Sequence, residues 1–395
     1  MKRKICVITS SRADYGLLRL ILKGIDTDND LTLQLVATGM HLSSKYGDTC
    51  QEIHTDGFVI DMKIDILIGE NDARGVSESI GLGVGKFAAA LEELRPDMVL
   101  VLGDRFEIFA AVIAAHVALI PVAHIHGGEL TEGAIDDAFR HSITKMSQLH
   151  FVSTQEYANR VIQLGEQPGS VFVTGGLGVD AISQLRLLSK SELESNLNFN
   201  FGKKNLLITF HPVTLELAAA DKQINELLAA LDLLPDINCI FTSPNADPGS
   251  NYISQAIEKF VATHENSIFF ASLGQINYFS CIKFVDGVVG NSSSGILEIP
   301  TFRKGTINIG HRQRGRVQAM SVINCEPIRH NILAAIERLY SVEFTQRLLT
   351  FPNPYGRVGA SLEILKEIKF FDVNSTLNKV FYNLDVNHNI RRSRS

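Results

Sequence analysis

Between residues 98 and 102 the chain reads Met98-Val99-Leu100-Val101-Leu102, five apolar side chains without a polar break. Successive side chains of a strand point to opposite faces, so this run predicts a strand buried on both sides, as in a parallel sheet covered by helices. Further runs at Ile5–Ser10, Leu31–Thr38, Pro121–Gly127, Leu149–Ser153 and Val171–Gly175 predict companion strands. Helical patterns over Ser77–Leu94, Arg105–His116, Asp136–Ser147 and Gln155–Leu164 lie between most of them. After Gly175-Gly176-Leu177-Gly178 a polar stretch, Ser189–Lys204, breaks the alternation. It restarts with strands at Leu206–Phe210, Cys239–Ser243, Ile268–Ala271, Val285–Val289, Thr306–Ile309 and Val322–Asn324. Two such series predict an α/β protein of two Rossmann-like, doubly wound domains, which suits a chain of 395 residues. The expected segments are 1–176, 177–356 and a final 357–395, whose helix Arg357–Phe371 follows the breaker Pro352-Asn353-Pro354-Tyr355-Gly356.

Composition narrows the class. The chain is 45% hydrophobic and 20% charged, which excludes a disordered or fibrous protein. A net charge of -6 gives no reason to expect a nucleic-acid partner, and the basic run Arg391-Arg392-Ser393-Arg394-Ser395 reads as a frayed end. Five scattered cysteines without a C-x-x-C pair read as core thiols in a reducing compartment. Ile5–Thr9 is too short for a signal-peptide core, and no run approaches the length that spans a bilayer. The expectation is a cytoplasmic protein with no membrane partner.

In doubly wound sheets ligands sit beyond the carboxyl ends of the strands. Eight polar segments fall there: 11–16, 39–41, 103–105, 124–129, 210–212, 243–247, 290–295 and 310–312. They are expected to face one interdomain cleft. Gly290-Asn291-Ser292-Ser293-Ser294-Gly295 follows an apolar run and precedes a helical one, so it offers backbone N–H groups and hydroxyls to an anion. Glu298, one turn further, can accept hydrogen bonds from vicinal hydroxyls such as those of a ribose. Phosphate and ribose contacts together point to a nucleotide. The bland alternative is a flexible Ser/Gly loop. Arg12, Arg105 and Arg312 at strand ends read as anion clamps, with surface salt bridges as their ordinary alternative. His211 is either a satisfied buried histidine or a donor to a phosphate.

The first half concentrates titratable groups: Asp104, His124, His126, Glu129, Asp136, Asp137, Arg140 and His141. Asp136 could cap a helix, and Asp137 could pair with Arg140 three residues on. As a set they offer what proton transfer at carbon needs, with carboxylates to take a weakly acidic proton and cations to hold a leaving phosphate. His124-x-His126 on a strand would place both rings on one face, as metal sites sometimes do. Nearby arginines and the lack of an H-E-x-x-H motif argue against that, so no metal and no other cofactor is expected.

The ordered set Ser-Arg-Ala-Asp-Tyr-Gly (11–16), Gly-Asp-Arg-Phe-Glu (103–107), His-Ile-His-Gly-Gly-Glu (124–129), Ile-Asp-Asp-Ala-Phe-Arg-His (135–141), His-Pro-Val-Thr (211–214), Gly-Asn-Ser-Ser-Ser-Gly (290–295) and Gly-His-Arg-Gln-Arg-Gly-Arg (310–316) resembles the hydrolysing UDP-N-acetylglucosamine 2-epimerases. The resemblance implies a GT-B-like pair of Rossmann domains, an active site between them, a final helix returning to the first domain, and a homo-oligomer, a dimer or tetramer. It implies a UDP-sugar substrate: UDP leaves across C1–C2, a 2-acetamidoglucal remains, and water adds with inversion. From UDP-N-acetylglucosamine the products are N-acetylmannosamine and UDP, feeding sialic acid-type sugars. Carried over by matching position, Arg12, His41, Arg105, His211, Asn245, Ser292, Ser293, Glu298 and Arg312 hold substrate, chiefly its UDP. Asp104, His124, Asp136, Asp137 and Arg140 lie around the sugar, with Asp104 and Asp136 the leading acid/base candidates.

Two departures bear on this. Many relatives carry Glu where this chain has His126, so the role passes to the imidazole or to Glu129. Many have a longer polar residue in place of Leu17, so the sugar pocket is expected to differ. The run 129–137 also resembles enzymes acting on UDP-N,N'-diacetylbacillosamine, which share the chemistry at C1 and C2 and differ at C4 and C6 of the sugar. The motifs favour the N-acetylglucosamine substrate modestly. Readings from other classes are a glycosyltransferase of the same fold, a nucleotide-sugar sensor and a metal-dependent hydrolase using His124 and His126; the dense acid/base cluster argues against the transferase.

Overall fold

The computed structural model describes residues 2–43, 49–68, 73–131, 135–212, 220–244, 250–356, 358–373 and 379–384. Asn245, the end of the 211–214 motif and the basic run 391–395 lie outside the described residues. Two compact units emerge, one built from the chain up to Ala181 together with the residues from Gly356 onward, the other from Ile182–Tyr355.

The first unit holds a seven-stranded sheet of β1 (Arg3–Thr9), β2 (Leu31–Thr38), β3 (Met62–Ile64), β4 (Met98–Leu102), β5 (Val122–Ile125), β6 (Leu149–Val152) and β7 (Val171–Val173), in the order β3-β2-β1-β4-β5-β6-β7. Every pairing is parallel. Alternation along the strands feeds two separate cores. Ile5, Val7, Met98 and Leu100 pack under the helices Arg12–Thr27 and Ala360–Phe370. Cys6, Ile8, Val99 and Val101 pack on the other face with Phe87, Ile108 and Val112. The helices Ala73–Leu94 and Phe106–Val117 approach closely there, and a Cβ on Gly83 would meet the Ala110 methyl at 3.0 Å.

The helix Ala360–Phe370 is also tied to the start of the sheet. Arg3 Nη1 donates to the carbonyls of Ile368 (2.6 Å) and Lys369 (2.9 Å), and Lys369 pairs with Asp28 and Asp30 at 2.9 and 2.8 Å.

The second unit repeats the scheme with β8 (Lys204–Thr209), β9 (Ile237–Thr242), β10 (Ser267–Phe270), β11 (Gly287–Gly290), β12 (Gly305–Ile309) and β13 (Val322–Cys325), in the order β10-β9-β8-β11-β12-β13, all parallel. Leu206, Ile208 and Phe210 face one core and Leu207 the other. In both sheets the winding reverses beside the first strand, between β1 and β4 and between β8 and β11. Such switch points open a crevice at the carboxyl edge.

Several elements differ from the sequence reading. β3 was not anticipated, because three residues at a sheet edge carry too little pattern. The polar stretch 189–204 contains a helix, Lys190–Leu197, started by a capping box between Ser189 and Glu192 and buried through Leu193 and Leu197 alone. β11 begins at Gly287, since Val285 caps the preceding helix Gly274–Phe284. Among the described residues no helix is long and apolar enough to cross a membrane.

Candidate active site

At the switch point of the second unit, β8 runs into His211 and β11 into Asn291. Gly290, at φ +137°, passes so close to β8 that a Cβ there would lie 1.9 Å from the Thr209 carbonyl oxygen. Only glycine fits. The closeness lets the buried Asn291 amide clasp the backbone of His211 from both sides. The His211 N–H donates to Asn291 Oδ1 at 2.7 Å, and Asn291 Nδ2 donates to the His211 carbonyl at 2.8 Å. The Asn291 carbonyl in turn accepts from Arg312 Nη1 (3.1 Å) and Gln313 Nε2 (2.9 Å), which follow β12. One residue therefore organises three segments that the sequence names separately.

Ser292 and Ser293 come next, half-buried, before a one-turn helix, Ser294–Leu297, that Glu298 closes. The Ser294 hydroxyl is occupied as an acceptor for Tyr278 Oη at 3.0 Å. Burial, and then the Arg312 charge, push the His211 imidazole down to about 3, so it is neutral at ordinary pH. A neutral imidazole beside an arginine can still donate one hydrogen bond to a phosphate without the cost of burying a second cation.

The first unit brings its candidates together at the carboxyl edge of β1, β2, β4 and β5. After β1, Ser11 caps the helix Arg12–Thr27 in a capping box with Asp14. The buried Asp14 carboxylate accepts from the N–H groups of Ser10, Ser11 and Tyr15, each at 2.8 Å. Arg12 is exposed beside this cap. After β2, His41 is fully buried; its Nε2 donates to Thr9 Oγ1 at 3.0 Å, because the Thr9 hydroxyl is itself given to Asp14. Thr49 Oγ1 donates to the opposite ring nitrogen at 2.6 Å. Burial lowers the His41 pKa, with the Asp14 charge opposing. After β4, Arg105 folds back on the buried Glu107, Nε to Oε2 at 3.2 Å and Nη2 to Oε1 at 2.9 Å.

Asp104 is held by the guanidinium of the buried Arg140. Arg140 also donates from Nη1 to the Glu129 carbonyl at 3.0 Å and lies 3.7 Å from Asp137, which in turn lies 3.5 Å from His141. Asp137, Arg140 and His141 share one face of the helix Asp136–Met146, and Asp136 opens it within electrostatic reach of Arg105. His124 is buried and pushed down to about 3 by desolvation. Its Nε2 donates to the Gly103 carbonyl at 2.8 Å and its Nδ1 accepts from Thr144 at 3.1 Å. Both nitrogens are thus committed to the protein, and the imidazole fixes the peptide that precedes Asp104.

The expectation that His124 and His126 share a strand face is corrected: β5 ends at Ile125, and His126 adopts φ +65°, a left-handed conformation that costs free energy for a non-glycine residue. Its Nδ1 lies 3.7 Å from Glu129 Oε1, which also accepts from Ser153 at 3.2 Å. Among the described residues no group of three or more His, Cys, Asp or Glu side chains is arranged to hold a metal ion. Sequence reasoning left Glu107, Asn291, Gln313 and Thr144 without a role, although the first three stand inside quoted motifs.

Two Rossmann-like units, each with polar loops gathered at its switch point, define a doubly wound α/β protein of the kind that binds ligands at the carboxyl edges of its sheets. The model of the family described as UDP-N-acetylglucosamine 2-epimerase matches residues 23–369. A GDP/UDP-N,N'-diacetylbacillosamine 2-epimerase (hydrolyzing) of Campylobacter jejuni is 40% identical, over 97% of this chain and 100% of that protein. Polysialic acid biosynthesis protein P7 of Escherichia coli is 39% identical, over 93% and 94%. In fold, the UDP-GlcNAc 2-epimerase from Neisseria meningitidis, bound to UDP-GlcNAc, superposes with a TM-score of 0.73 at 21% identity, over 92% of this chain and 99% of that one. The chain belongs to the UDP-N-acetylglucosamine 2-epimerase family and is an enzyme of its hydrolysing UDP-sugar 2-epimerase kind.

Proposed function

We propose that the enzyme acts on UDP-N,N'-diacetylbacillosamine, releasing UDP and the C2-inverted free sugar. The observation that carries this reading is the match to the Campylobacter protein over that protein's whole length, joined by the resemblance of the run 129–137 to enzymes of the same substrate. A second reading, UDP-N-acetylglucosamine giving N-acetylmannosamine, is favoured by the description of the family model and modestly by the sequence motifs. The two differ only at C4 and C6 of the sugar, away from the chemistry.

In either case the second unit grips UDP. Ser292, Ser293 and Arg312 take the phosphates, neutral His211 donates to one of them, and Glu298 accepts from the ribose hydroxyls; Arg12, Arg105 and Asn245 are further substrate contacts, while the buried His41, both ring nitrogens bonded to threonines, braces the end of β1 instead. The first unit handles C1 and C2. A C2 proton is weakly acidic, so its removal must be concerted with stabilisation of the departing UDP. Asp104, hydrogen-bonded to Arg140, and Asp136 are the acid/base pair of the elimination. His126 or Glu129 takes the role that many relatives give to a Glu at the place of His126, and Asp137 stands beside Arg140. His124 holds the Gly103 peptide in place. Buried free thiols at Cys6, Cys50, Cys239 and Cys281 suit a reducing compartment, and we infer a cytoplasmic homo-oligomer.

Proton NMR in D2O with each UDP-sugar tests the proposal. Free UDP with a C2-inverted, C2-deuterated sugar from diacetylbacillosamine alone is expected. The same products from UDP-N-acetylglucosamine alone would select the second reading. Intact nucleotide sugar in both tubes would sink both.

A further inference from the structure

The segment Lys379–Leu384 lies far from every motif, yet it is bound to the first unit by specific contacts. Tyr382 N–H donates to the Gly165 carbonyl at 2.8 Å, and Gln167 Nε2 donates to the Val380 carbonyl at 3.0 Å. The Phe381 ring lies over Gly165, where a Cβ would come within 2.2 Å of it, and the Lys145 ammonium sits 4.7 Å from its centroid. Lys379 reaches further in. Its ammonium group meets three acceptors: the Lys145 carbonyl at 2.8 Å, the Ser147 carbonyl at 2.5 Å and Glu166 Oε2 at 2.5 Å. An ammonium has three donors, so this one is saturated.

Two of those acceptors are the carbonyl of Lys145, in the last turn of the helix Asp136–Met146, and that of Ser147, which caps it; this helix carries Asp136, Asp137, Arg140 and Thr144. A cation there satisfies carbonyls the helix cannot pair and complements its dipole. The third acceptor, Glu166, is buried and shared with Lys145 (2.8 Å) and with the fully buried His150 (2.9 Å). Burial alone would raise the Glu166 carboxyl, but hydrogen bonds from His150, Lys145 and Lys379 outweigh it and hold it down at about 2. His150 stands on β6 directly beside His124 on β5, the residue that fixes the peptide before Asp104. Lys379 therefore bears on both supports of the acid/base cluster, on the helix directly and on the strand pair through Glu166 and His150.

We propose that Lys379–Leu384 is a strap whose residue Lys379 positions the helix Asp136–Met146, so that turnover depends on it and UDP binding does not. Lys379 is a positioning residue, and this role rests on the assignment of Asp104, Asp136 and Arg140 to the sugar. The distance from the cluster explains why no motif marks it.

The test uses the full chain as Lys379→Met, Lys379→Arg and Phe381→Ala. For Lys379→Met, kcat should fall about 10- to 100-fold, the scale of a small misplacement of reacting groups. UDP affinity by calorimetry should hold, and amide exchange over 136–146 should rise while that over 250–261 stays as in the parent. Lys379→Arg should restore part of kcat. Phe381→Ala, which spares the Glu166 ion pairs, should show a smaller loss in the same direction and serves if Lys379→Met does not fold. Unchanged kcat with unchanged exchange would overturn the proposal, as would kcat and UDP affinity falling together. A parent enzyme that turns over neither UDP-sugar refutes the functional reading alone, and the exchange arm then decides the strap.

Discussion

The two switch points solve the same topological problem with opposite chemistry. In the second unit the clasp across the switch point is neutral, the Asn291 amide on the His211 backbone with an uncharged imidazole beside it, and Arg312 joins only through the Asn291 carbonyl. In the first unit the segment after β4 is joined to the helix Asp136–Met146 by charge, Asp104 with Arg140, and local ion pairs flank it, Arg105 with Glu107 and Asp137 with Arg140. Neutral amides hold a backbone in place whatever the solution pH, which suits a grip on a ligand that must be bound and released intact. Ion pairs fix the place and orientation of a carboxylate, which under the proposed function suits a group that must take and return a proton.

Breaking the charged side should show the largest effect. Asp104→Asn keeps a partner for Arg140 but removes a base, so kcat should fall about 10²- to 10⁴-fold while UDP affinity holds; near-normal turnover in steady-state assays would end the acid/base assignment. Breaking the neutral side should read out in the other observable. Asn291→Ala orphans the His211 peptide groups while keeping the main-chain carbonyl that Arg312 and Gln313 meet, and calorimetry should find UDP binding about 10- to 100-fold weaker. A loss of kcat at saturating substrate, with affinity intact, would show that the two sites do not divide the work.

Acid sharpens the contrast. His124 and His211 are held near 3, below the 6.5 of an unfolded histidine, so the unfolded chain binds more protons below that value. Their contribution to stability is fully present above pH 6.5 and is lost as pH falls towards 3, at about 1.4 kcal/mol per pH unit for each histidine. Thermal melts from pH 7 to 4 should decline, and the decline should be shallower in His124→Asn; equal slopes would remove His124 from the explanation. The smallest change expected is in Thr144→Val. Losing the donor to His124 Nδ1 should cost about 1–2 kcal/mol in denaturant melts and leave UDP binding untouched.

Much of this was legible in the sequence where the signal is local. β4 announces itself because five apolar residues in a row suit only a strand buried on both faces. Gly290 stands at a strand end and Asp104 follows one. What escaped depends on partners remote along the chain. Asn291 matters because it meets His211 across the switch point, 80 residues away. His124 reads as a ligand in sequence and becomes a brace only when the Gly103 carbonyl and Thr144 close around it. The helix Lys190–Leu197 hid because a stripe of two leucines is too thin to show a period. Lys379 carries no pattern at all.

The route of the chain through the first unit has a consequence for how the protein is made. Strand β1 is synthesised first, yet its core is closed by Ile364 and Ile368 and tied off through Arg3, after the whole of Ile182–Tyr355 has been added. Nearly all of the second unit is the single stretch Ile182–Tyr355, whose sheet is complete before residue 356 is added. The usual vectorial order is thereby inverted: the half that emerges first waits, with an apolar sheet face open, for the half that emerges second to finish.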